Sequence, residues 1–333
     1  MTDPRRVLLL AHTGREDARE VARAFAKALT AHGIIVRLIA SEAEELGLDA
    51  TGPEIEIVAV DDETAAGCEI AVVLGGDGTI LRAAEITHGQ PTPLLGVNLG
   101  HVGFLAEAEY EHVGPTIQAI IERDYTTEER LTVDVAVYRD KELVATTFAL
   151  NEASVEKAAR ERMLEVVVEI DGRPLSRWGC DGVVCATPTG STAYNFSAGG
   201  PVVWPGVEAL LMVPISAHAL FARPMVVAPD SVMAVEVLAQ TEGAGVLWCD
   251  GRRTFDLPPG ARIEVRRGVS PVHLVRLHRA PFTDRLVAKF GLPVEGWRGA
   301  SERRRRTTAP TSSVEVVTPA GPHDRTTVGE EIQ

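Results

Sequence analysis

The sequence has few cysteines and no long apolar segment. Its four cysteines are Cys68, Cys180, Cys185 and Cys249, and no two of them form a CxxC pair. This spacing favours reduced thiols in a core over a zinc site or a disulfide framework. The most apolar stretch, residues 202–221, is interrupted by prolines, a glycine and a glutamate. No segment therefore offers the ~20 uninterrupted apolar residues that a membrane-spanning helix needs.

Positive charge is also scarce. The chain has 33 Lys and Arg against 47 Asp and Glu, which gives a formal net charge of -14. This balance disfavours general binding to nucleic acid or to anionic lipid, because both require cations to meet phosphates. A local cationic pocket for a small anion remains compatible with it.

The N-terminal segment MTDPRRVLLLAHTGRED places two arginines before a short apolar run but has no small-residue cleavage site. We therefore expect a first β-strand rather than a signal peptide, and a soluble cytoplasmic protein. The length of 333 residues predicts about two domains, and 45% hydrophobic residues suffice for a core in each.

The first third of the sequence alternates strand and helix signals. Apolar runs and amphipathic stripes predict strands at residues 7–11, 34–40, 70–74 and 94–98 and helices at residues 16–31 and 80–88. Repeated strand–helix units indicate a mostly parallel sheet with helices on both faces.

After Tyr125 the pattern changes to short strands separated by turn formers. The strands are predicted at residues 131–138, 146–150, 164–170, 225–227, 232–238 and 263–266. We predict an α/β domain over residues 1–125 and a mainly β domain over residues 126–281. A helix at 284–290, within a segment 282–298, is predicted to return to the first domain. Residues 301–333 contain no aromatic residue and are predicted to be disordered.

The sharpest local signal is the segment LGGDGT at residues 74–79. It follows a buried strand and precedes a helix, where open α/β sheets bind ligands. Glycines let the backbone approach an anion, and N–H groups at a helix start favour phosphate. Asp77 fits this cradle if its carboxylate holds Mg²⁺ or accepts a proton from an attacking hydroxyl. The alternative is a tight turn with Asp77 as the helix N-cap.

Lysine is absent from this glycine-rich loop, since the lysines of the chain are Lys27, Lys141, Lys157 and Lys289. Phosphate charge would then be met by backbone N–H groups, metal and arginine. Arg82, one turn into the predicted helix, is the nearest candidate.

A second cluster, TPTGSTAYNFSAGGP at residues 187–201, combines small hydroxyl residues and glycines around one aromatic. Such a segment suits a ligand wall, with Tyr194 available to stack on a base; a long structural loop is the alternative. Asn151 and Glu152 offer an amide for a purine edge and a carboxylate for ribose hydroxyls, or a simple turn. The pairs Asp181-Gly182 and Asp250-Gly251 are typical of hairpin turns.

Taken in order, these motifs resemble those of the NAD kinase family, over a region from about Val7 to Trp297. The glycine-rich loop is shared with diacylglycerol kinases and, more loosely, phosphofructokinases, whereas the 187–201 segment is more specific. The motifs that carry the resemblance are residues 75–79, NLGHVGFL at 98–105, Asn151-Glu152, Asp181-Gly182, 187–201, PISAH at 214–218 with Arg223-Pro224, and Asp250-Gly251.

The resemblance implies an enzyme that phosphorylates the 2′-hydroxyl of the adenosine ribose of NAD⁺. ATP, or alternatively polyphosphate, would be the donor, and Mg²⁺ would bridge the donor phosphates without a metal ligand assigned on the chain. The implied fold is an α/β domain with a parallel sheet followed by a β-sandwich domain whose last helix returns to the first. The implied assembly is a homodimer or homotetramer.

The resemblance also implies roles for individual residues. Asp77 would be the catalytic proton acceptor, and the phosphate-donor loop would consist of Gly75, Gly76, Gly78 and Thr79. Contacts with NAD would come from Asp77, Gly78, Arg82, Phe104, Asn151, Glu152, Arg162, Asp181, Thr192, Ala193, Tyr194, Ser197, Ser216 and Asp250.

Two other functions compete with this one. A lipid kinase would share the glycine-rich loop, although nothing in the sequence indicates a membrane-docking surface. A non-catalytic regulator would bind NAD(H) in the same pocket without turnover.

Overall fold

The computed structural model describes residues 4–50, 52–100, 103–109, 112–160, 162–241, 243–277 and 281–294. Residues Met1–Gly291 form one compact unit, and of the second unit, Leu292–Gln333, the structure describes only residues 292–294. The tail predicted at 301–333, residues 295–298 of the predicted returning segment, and His101 and Val102 lie outside the described residues.

Secondary structure is numbered in chain order within the described ranges. The helices are α1 (Glu16–Ala31), α2 (Ala40–Leu46), α3 (Asp77–Ile86), α4 (Val113–Glu122), α5 (Tyr194–Ser197) and α6 (Phe282–Phe290). The first ten strands are β1 (Arg6–Ala11), β2 (Ile35–Ile39), β3 (Ile55–Val58), β4 (Ile70–Leu74), β5 (Leu94–Asn98), β6 (Ala108–Glu109), β7 (Thr126–Arg130), β8 (Val133–Arg139), β9 (Glu142–Ala149) and β10 (Glu152–Lys157). The others are β11 (Leu164–Ile170), β12 (Arg173–Cys180), β13 (Gly182–Ala186), β14 (Leu210–Ile215), β15 (Met225–Val227), β16 (Met233–Val237), β17 (Gly245–Cys249), β18 (Arg253–Leu257), β19 (Arg262–Arg267) and β20 (Val272–Arg276).

The first sheet has the order β3-β2-β1-β4-β5-β20-β7, and β6 pairs with β5. The side chains of β1 alternate between two apolar clusters. Val7 and Leu9 pack in one cluster, and Leu8 and Leu10 pack in the other. Both faces of the strand are thus buried, which explains its continuous apolar sequence. Because β1 and β4 are parallel neighbours, the loops that follow them start at the same edge of the sheet.

Strands β7 and β20 belong to the first sheet, although the predicted boundaries assign residues 126–281 to the second domain. Strand β20 pairs in parallel with β5 and antiparallel with β7, so both strands extend the first sheet. Residues 272–276 carry no strand prediction at all. The difference arises because local patterning indicates a strand but contains no information on which distant strand it pairs with.

The β domain consists of two antiparallel sheets, with orders β15-β14-β13-β10-β17-β18 and β12-β11-β16-β19-β8-β9. Strands of both sheets contribute to one apolar core, which includes Val155 and Leu247 from the first and Trp178 and Ile263 from the second. The predicted fold class, an α/β domain with a parallel sheet followed by a mainly β domain, is confirmed.

The four cysteines are buried and free of disulfide bonds, consistent with the prediction of reduced core thiols. In the described part of the chain, no helix has the length and apolar character required to cross a membrane.

Truncating Leu274 tests whether β20 stabilises the first sheet. Leu274 is 1% exposed, and its replacement by Ala leaves a cavity between β5 and β7. We expect Leu274→Ala to lower the free energy of unfolding by about 2–5 kcal/mol. Val269→Ala is the control, because Val269 is 87% exposed and should change stability by at most about 0.5 kcal/mol. Urea unfolding followed by circular dichroism measures both, and equal losses for the two variants would contradict the role of β20.

Candidate active site

The glycine-rich loop connects β4 directly to α3. Gly76 is the N-cap of α3 and Asp77 is its first residue, so the helix begins earlier than the predicted 80–88 range. The alternative interpretation of Asp77 as N-cap is therefore wrong. A Cβ on Gly75 would overlap the Thr79 side chain, whereas Gly76 and Gly78 are exposed. The first N–H groups of α3, which lack intrahelical acceptors, are thus left at an open loop.

The Asp77 carboxylate is held by the segment that follows β5. Its Oδ2 atom accepts a hydrogen bond from the Phe104 N–H (3.0 Å), and its Oδ1 atom accepts one from the Leu105 N–H (3.1 Å). A Cβ on Gly103 would overlap this carboxylate, so glycine is required there. The side chain is half-buried. Each oxygen retains accepting capacity for a further proton or cation.

A cavity of about 490 Å³ lies beside the start of α3. It is lined by Ala11, His12, Thr13, Gly14, Gly76, Gly78, Thr79, Arg82 and Arg252. The loop at 12–14 was not identified from the sequence. Its His12 N–H donates to the Leu74 carbonyl (2.9 Å), which joins it to the end of β4. The rule that ligands bind at the carboxyl ends of parallel strands would have identified it once β1 was known to neighbour β4.

Arg82, predicted to bind NAD, lines this cavity together with the predicted donor loop. Its Nη1 atom lies 2.5 Å from Glu42 Oε1. Glu42 is 3% exposed, and its Oε2 atom accepts a hydrogen bond from the Ala11 N–H (2.9 Å). Burial raises the pKa of Glu42, while the Ala11 N–H and the Arg82 guanidinium oppose that rise. Glu42 thereby orients Arg82 at the cavity wall.

A second group of predicted residues assembles in the β domain around Asn151, which lies between β9 and β10, and Glu152, the first residue of β10. Asp250, in the turn between β17 and β18, accepts hydrogen bonds from the Leu150 N–H (3.0 Å) and the Asn151 N–H (2.7 Å). Arg253 Nη2 donates to the same carboxylate (2.8 Å). Asp250 therefore holds the backbone at 150–152 in place. This structural contact was not predicted from the sequence, which indicated a contact with NAD.

The 187–201 segment packs directly on Asn151. The Thr187 N–H donates to the Asn151 carbonyl (2.9 Å), and the Thr187 hydroxyl donates to the Leu150 carbonyl (2.6 Å). A Cβ on Gly190 would overlap the Asn151 carbonyl, so the 3₁₀ turn Gly190–Thr192 can approach only with glycine there. This contact brings Thr192, Ala193 and Tyr194 next to the Asn151–Glu152 pair.

Glu152 is the most perturbed carboxyl of this group. Burial, reinforced by the like charge of Asp250, raises the pKa of Glu152 to about 8, against an opposing hydrogen bond from the Tyr194 N–H. Within the described residues, its buried Oε2 atom has no hydrogen-bond partner. Burial likewise raises the pKa of Tyr194, as does Glu156, with which its side chain forms a hydrogen bond. Glu156 was not identified from the sequence, although it lies on the same face of β10 as Glu152.

Asp181 and Ser216 meet at the other end of this group. Lys157 Nζ lies 2.6 Å from Asp181 Oδ1, and hydrogen bonds from Lys157 and, more weakly, Ser216 lower the pKa of Asp181. Ser216 has a φ of 48° just after β14. Ser197 is exposed and donates to the Tyr194 carbonyl (3.0 Å). Arg162 lies beside Gly243, before β17, whereas Asp250 follows the opposite end of that strand.

Helix α6 packs against both Phe104 and the 187–201 segment. The Phe290 ring lies 5.8 Å from the Phe104 ring and 4.7 Å from the Phe196 ring. Arg285 Nη1 donates to the Phe104 carbonyl (3.0 Å) and the Ala106 carbonyl (2.7 Å). The helix thus supports, through backbone contacts, the same segment whose N–H groups hold Asp77.

Known proteins match the chain over both domains. Residues 7–125 match a family model described as the ATP-NAD kinase N-terminal domain, and residues 150–277 match the ATP-NAD kinase C-terminal domain. The chain is 61% identical over 308 residues to an NAD kinase of Thermobifida fusca, covering 91% of this chain and 94% of that protein. It is 61% identical over 297 residues to NAD kinase 2 of Streptomyces coelicolor, covering 89% and 97%.

Solved structures are also similar. The crystal structure of yeast NADH kinase complexed with NADH superposes with a TM-score of 0.79 at 26% identity, covering 89% of this chain and 90% of that chain. An NAD kinase from Archaeoglobus fulgidus in complex with ATP gives a TM-score of 0.65 at 24% identity, covering 87% and 100%, which is a likeness of fold.

Replacing Glu152 with Gln tests whether the buried carboxyl group of Glu152 is protonated in the folded protein. In the unfolded chain the carboxyl ionises near its ordinary pKa of 4.5, while in the folded chain its pKa is about 8. The stability that the protonated form contributes is therefore lost as the pH rises from about 5 to 8. Glu152→Gln has no ionisable group at this position and so does not suffer this loss. We expect the free energy of unfolding of the variant, minus that of the parent, to be larger at pH 8 than at pH 5 by on the order of 2–5 kcal/mol.

Urea unfolding at pH 5, 6.5 and 8 measures the difference. Glu20→Gln is the control, because Glu20 is exposed on α1, and its difference from the parent should stay nearly constant. If the Glu152→Gln and parent curves run parallel across this range, the buried neutral carboxyl is refuted.

Proposed function

The chain belongs to the NAD kinase family, and we propose how its two residue clusters divide the reaction between them. The enzyme transfers a phosphoryl group from ATP to the 2′-hydroxyl of the adenosine ribose of NAD⁺, which makes NADP⁺. The comparisons support neither the lipid kinase nor the non-catalytic regulator, because the matched families and the similar proteins are NAD kinases. The observation that supports the division of roles is the Asp77 carboxylate, fixed by two backbone N–H groups at the start of α3.

The donor phosphates bind in the cavity beside α3. The N–H groups at the start of that helix and the guanidinium of Arg82 provide donors and positive charge for phosphate oxygens. Gly76 and Gly78 let the donor approach the backbone, and the Thr79 side chain packs against Gly75. Lysine is not needed because arginine and backbone N–H groups supply the hydrogen bonds.

NAD⁺ binds against the Asn151–Glu152 pair. The Asn151 side chain recognises the adenine edge, and the unpartnered Oε2 of Glu152 forms a hydrogen bond with a ribose hydroxyl, since a buried polar atom is strongly favoured to acquire a partner. Tyr194 stacks beside Thr192 and Ala193 to complete this wall. Asp181 and Ser197 contact the far ends of the dinucleotide, and Phe104 and Arg162 flank it. Ser216 lies beside Asp181, and Asp250 positions the Asn151 backbone.

The reaction is a direct phosphoryl transfer. The 2′-oxygen of NAD⁺ attacks the γ-phosphorus of ATP, the bond to the β-phosphate oxygen breaks, and ADP leaves. Asp77 accepts the proton of the 2′-hydroxyl. Because both of its oxygens are already oriented by Phe104 and Leu105, little reorganisation is needed when the proton arrives.

Magnesium fits this donor set as a ligand of the phosphates. Within the described residues, no group of three or more His, Cys, Asp or Glu side chains could hold a metal. Mg²⁺ in phosphoryl-transfer sites takes one or two carboxylates together with phosphate oxygens and waters. Since Asp77 is assigned to the proton, the phosphate oxygens of the donor and waters would hold Mg²⁺, which would neutralise charge on the donor phosphates.

We propose that the enzyme is a homodimer or homotetramer located in the cytoplasm. Leu220 is 111% exposed and Phe221 is 49% exposed in the segment after β14, and an exposed apolar patch of this kind is typical of a subunit interface. Sedimentation velocity measures the mass. A monomer at all concentrations tested would contradict the proposed assembly.

Asp77→Asn tests the proton acceptor. The neutral amide cannot take the proton, so we expect kcat to fall by about 10²–10⁴-fold, with NAD⁺ binding preserved. Steady-state assays of NADP⁺ formation and calorimetry of NAD⁺ binding measure the two effects. Asp17→Asn, in the first turn of α1 with its side chain 42% exposed, is the control and should retain full activity. Unchanged kcat in the folded Asp77→Asn protein would exclude the assigned role.

The donor cavity also predicts the response to polyphosphate. Because the assigned groups recognise phosphate and not a base, we expect inorganic polyphosphate to support NADP⁺ formation, at a lower rate than ATP. The same assay with each donor at equal phosphate concentration measures the ratio. A complete lack of NADP⁺ with polyphosphate would show that donor binding requires a nucleoside contact.

A further inference from the structure

Arg252 is the residue of the donor cavity that comes from the β domain. We propose that Arg252 is a second arginine ligand of the donor phosphates, and that the turn at 249–253 sets its position together with that of the NAD-binding pair Asn151–Glu152. This inference rests on the proposed location of the donor and extends that site to a residue outside the predicted set.

The position of Arg252 suits a phosphate ligand. It lines the cavity together with Gly76, Gly78 and Thr79, and its side chain is 40% exposed. In the described structure its hydrogen bond runs from Nε to Glu85 Oε2 (3.2 Å), which leaves the terminal nitrogens to bind a ligand. Two terminal nitrogens in a planar fork match the oxygens of a phosphate group.

The ion pair with Glu85 orients Arg252 without locking it. The Glu85 side chain is 35% exposed, and ion pairs at partly exposed sites contribute little free energy, so a phosphate can share the guanidinium at small cost. Glu85 also lies on α3, the helix that begins with Asp77. The pair therefore connects an arginine of the β domain to the helix whose first turn carries the proton acceptor.

The backbone of the turn fixes which way each side chain points. Asp250 has a φ of 53° and Gly251 a φ of 64°. The Arg252 N–H donates to the Cys249 carbonyl at the end of β17 (3.0 Å). In this tight turn Asp250 points inward to the backbone at 150–152, and Arg252 points outward to the cavity. A displacement of the turn would move the NAD-binding pair and the donor ligand together.

The neighbouring Arg253 has its Nε atom 3.9 Å from the same Glu85 carboxylate, but its other contacts are different. Its guanidinium carbon lies 4.2 Å from the centre of the Phe148 ring, and its Nη2 atom is bound to Asp250. Arg253 is thus engaged in holding Asp250, whereas Arg252 is directed to the cavity. Adjacent arginines therefore divide a structural role and a ligand-binding role.

The test compares Arg252→Ala and Arg252→Lys with the parent enzyme in kinetics with ATP varied at saturating NAD⁺, and with NAD⁺ varied at saturating ATP. We expect Arg252→Ala to raise KM for ATP by about 10- to 100-fold, as for loss of a hydrogen bond to a charged group. KM for NAD⁺ should change less than about twofold, since the backbone of the turn remains. Arg252→Lys should recover part of the loss, because it keeps the charge but not the fork.

Two further measurements separate ligand binding from structure. The affinity for inorganic tripolyphosphate, measured by calorimetry in the absence of NAD⁺, should fall in Arg252→Ala by the same factor as the affinity for ATP. Arg177→Ala is the control, since that exposed side chain on β12 pairs with Glu165 and should leave both KM values unchanged. Urea unfolding verifies that each variant is folded, and Arg252→Gln replaces Arg252→Ala if the latter is not.

The inference is overturned if KM for ATP is unchanged in folded Arg252→Ala, or if KM for NAD⁺ rises as much as KM for ATP, because the turn would then have only a structural role. Loss of ATP affinity without loss of tripolyphosphate affinity would also overturn it, since the contact would be with the nucleoside. Failure of the parent enzyme to form NADP⁺ would instead refute the function itself. The two failures are therefore distinguishable.

Discussion

The buried carboxylate of Asp250 is the group on which the structure of the proposed NAD-binding cluster depends. A carboxylate that is 5% exposed is costly unless hydrogen bonds and an opposite charge compensate for its lost hydration. The Leu150 and Asn151 N–H groups and the Arg253 guanidinium supply that compensation. The same hydrogen bonds fix the backbone at 150–152. The contacts that stabilise the buried charge therefore also shape the proposed NAD-binding wall.

The Asp77 and Glu152 carboxyl groups differ because their surroundings differ. Asp77 is half-buried and accepts two backbone hydrogen bonds, which fix the orientation of its carboxyl group. Glu152 is almost wholly buried near another carboxylate, and one of its oxygens has no partner within the described residues. A group of the first kind suits proton transfer, and a group of the second kind suits recognition of a hydroxyl that enters with the substrate.

Local pattern predicts much of the fold and the motif residues of the site. Helix α1 and strands β4, β5 and β11 have the predicted bounds, because their apolar residues follow helical or strand spacing without interruption. The pairing of β20 with β5 could not be predicted, since it joins residues about 180 positions apart and leaves no local signature. Asp77 and Asn151 are recognisable by their motifs, whereas their assigned roles remain predictions. His12 and Arg252 lie in no recognisable motif. Their position at the cavity follows only from the strand order, which brings three separate loops together there.

The distribution of charge explains how so acidic a chain can hold a polyanionic donor. The net charge of -14 opposes an anionic donor mainly at short range, because salt screens exposed charges beyond about 10 Å. At the cavity, Arg82 and Arg252 each pair with one glutamate, Glu42 and Glu85, and these pairs keep the guanidinium groups oriented before the donor arrives. In the proposed site the two arginines come from different domains, so full neutralisation of the donor would require both domains to be in place.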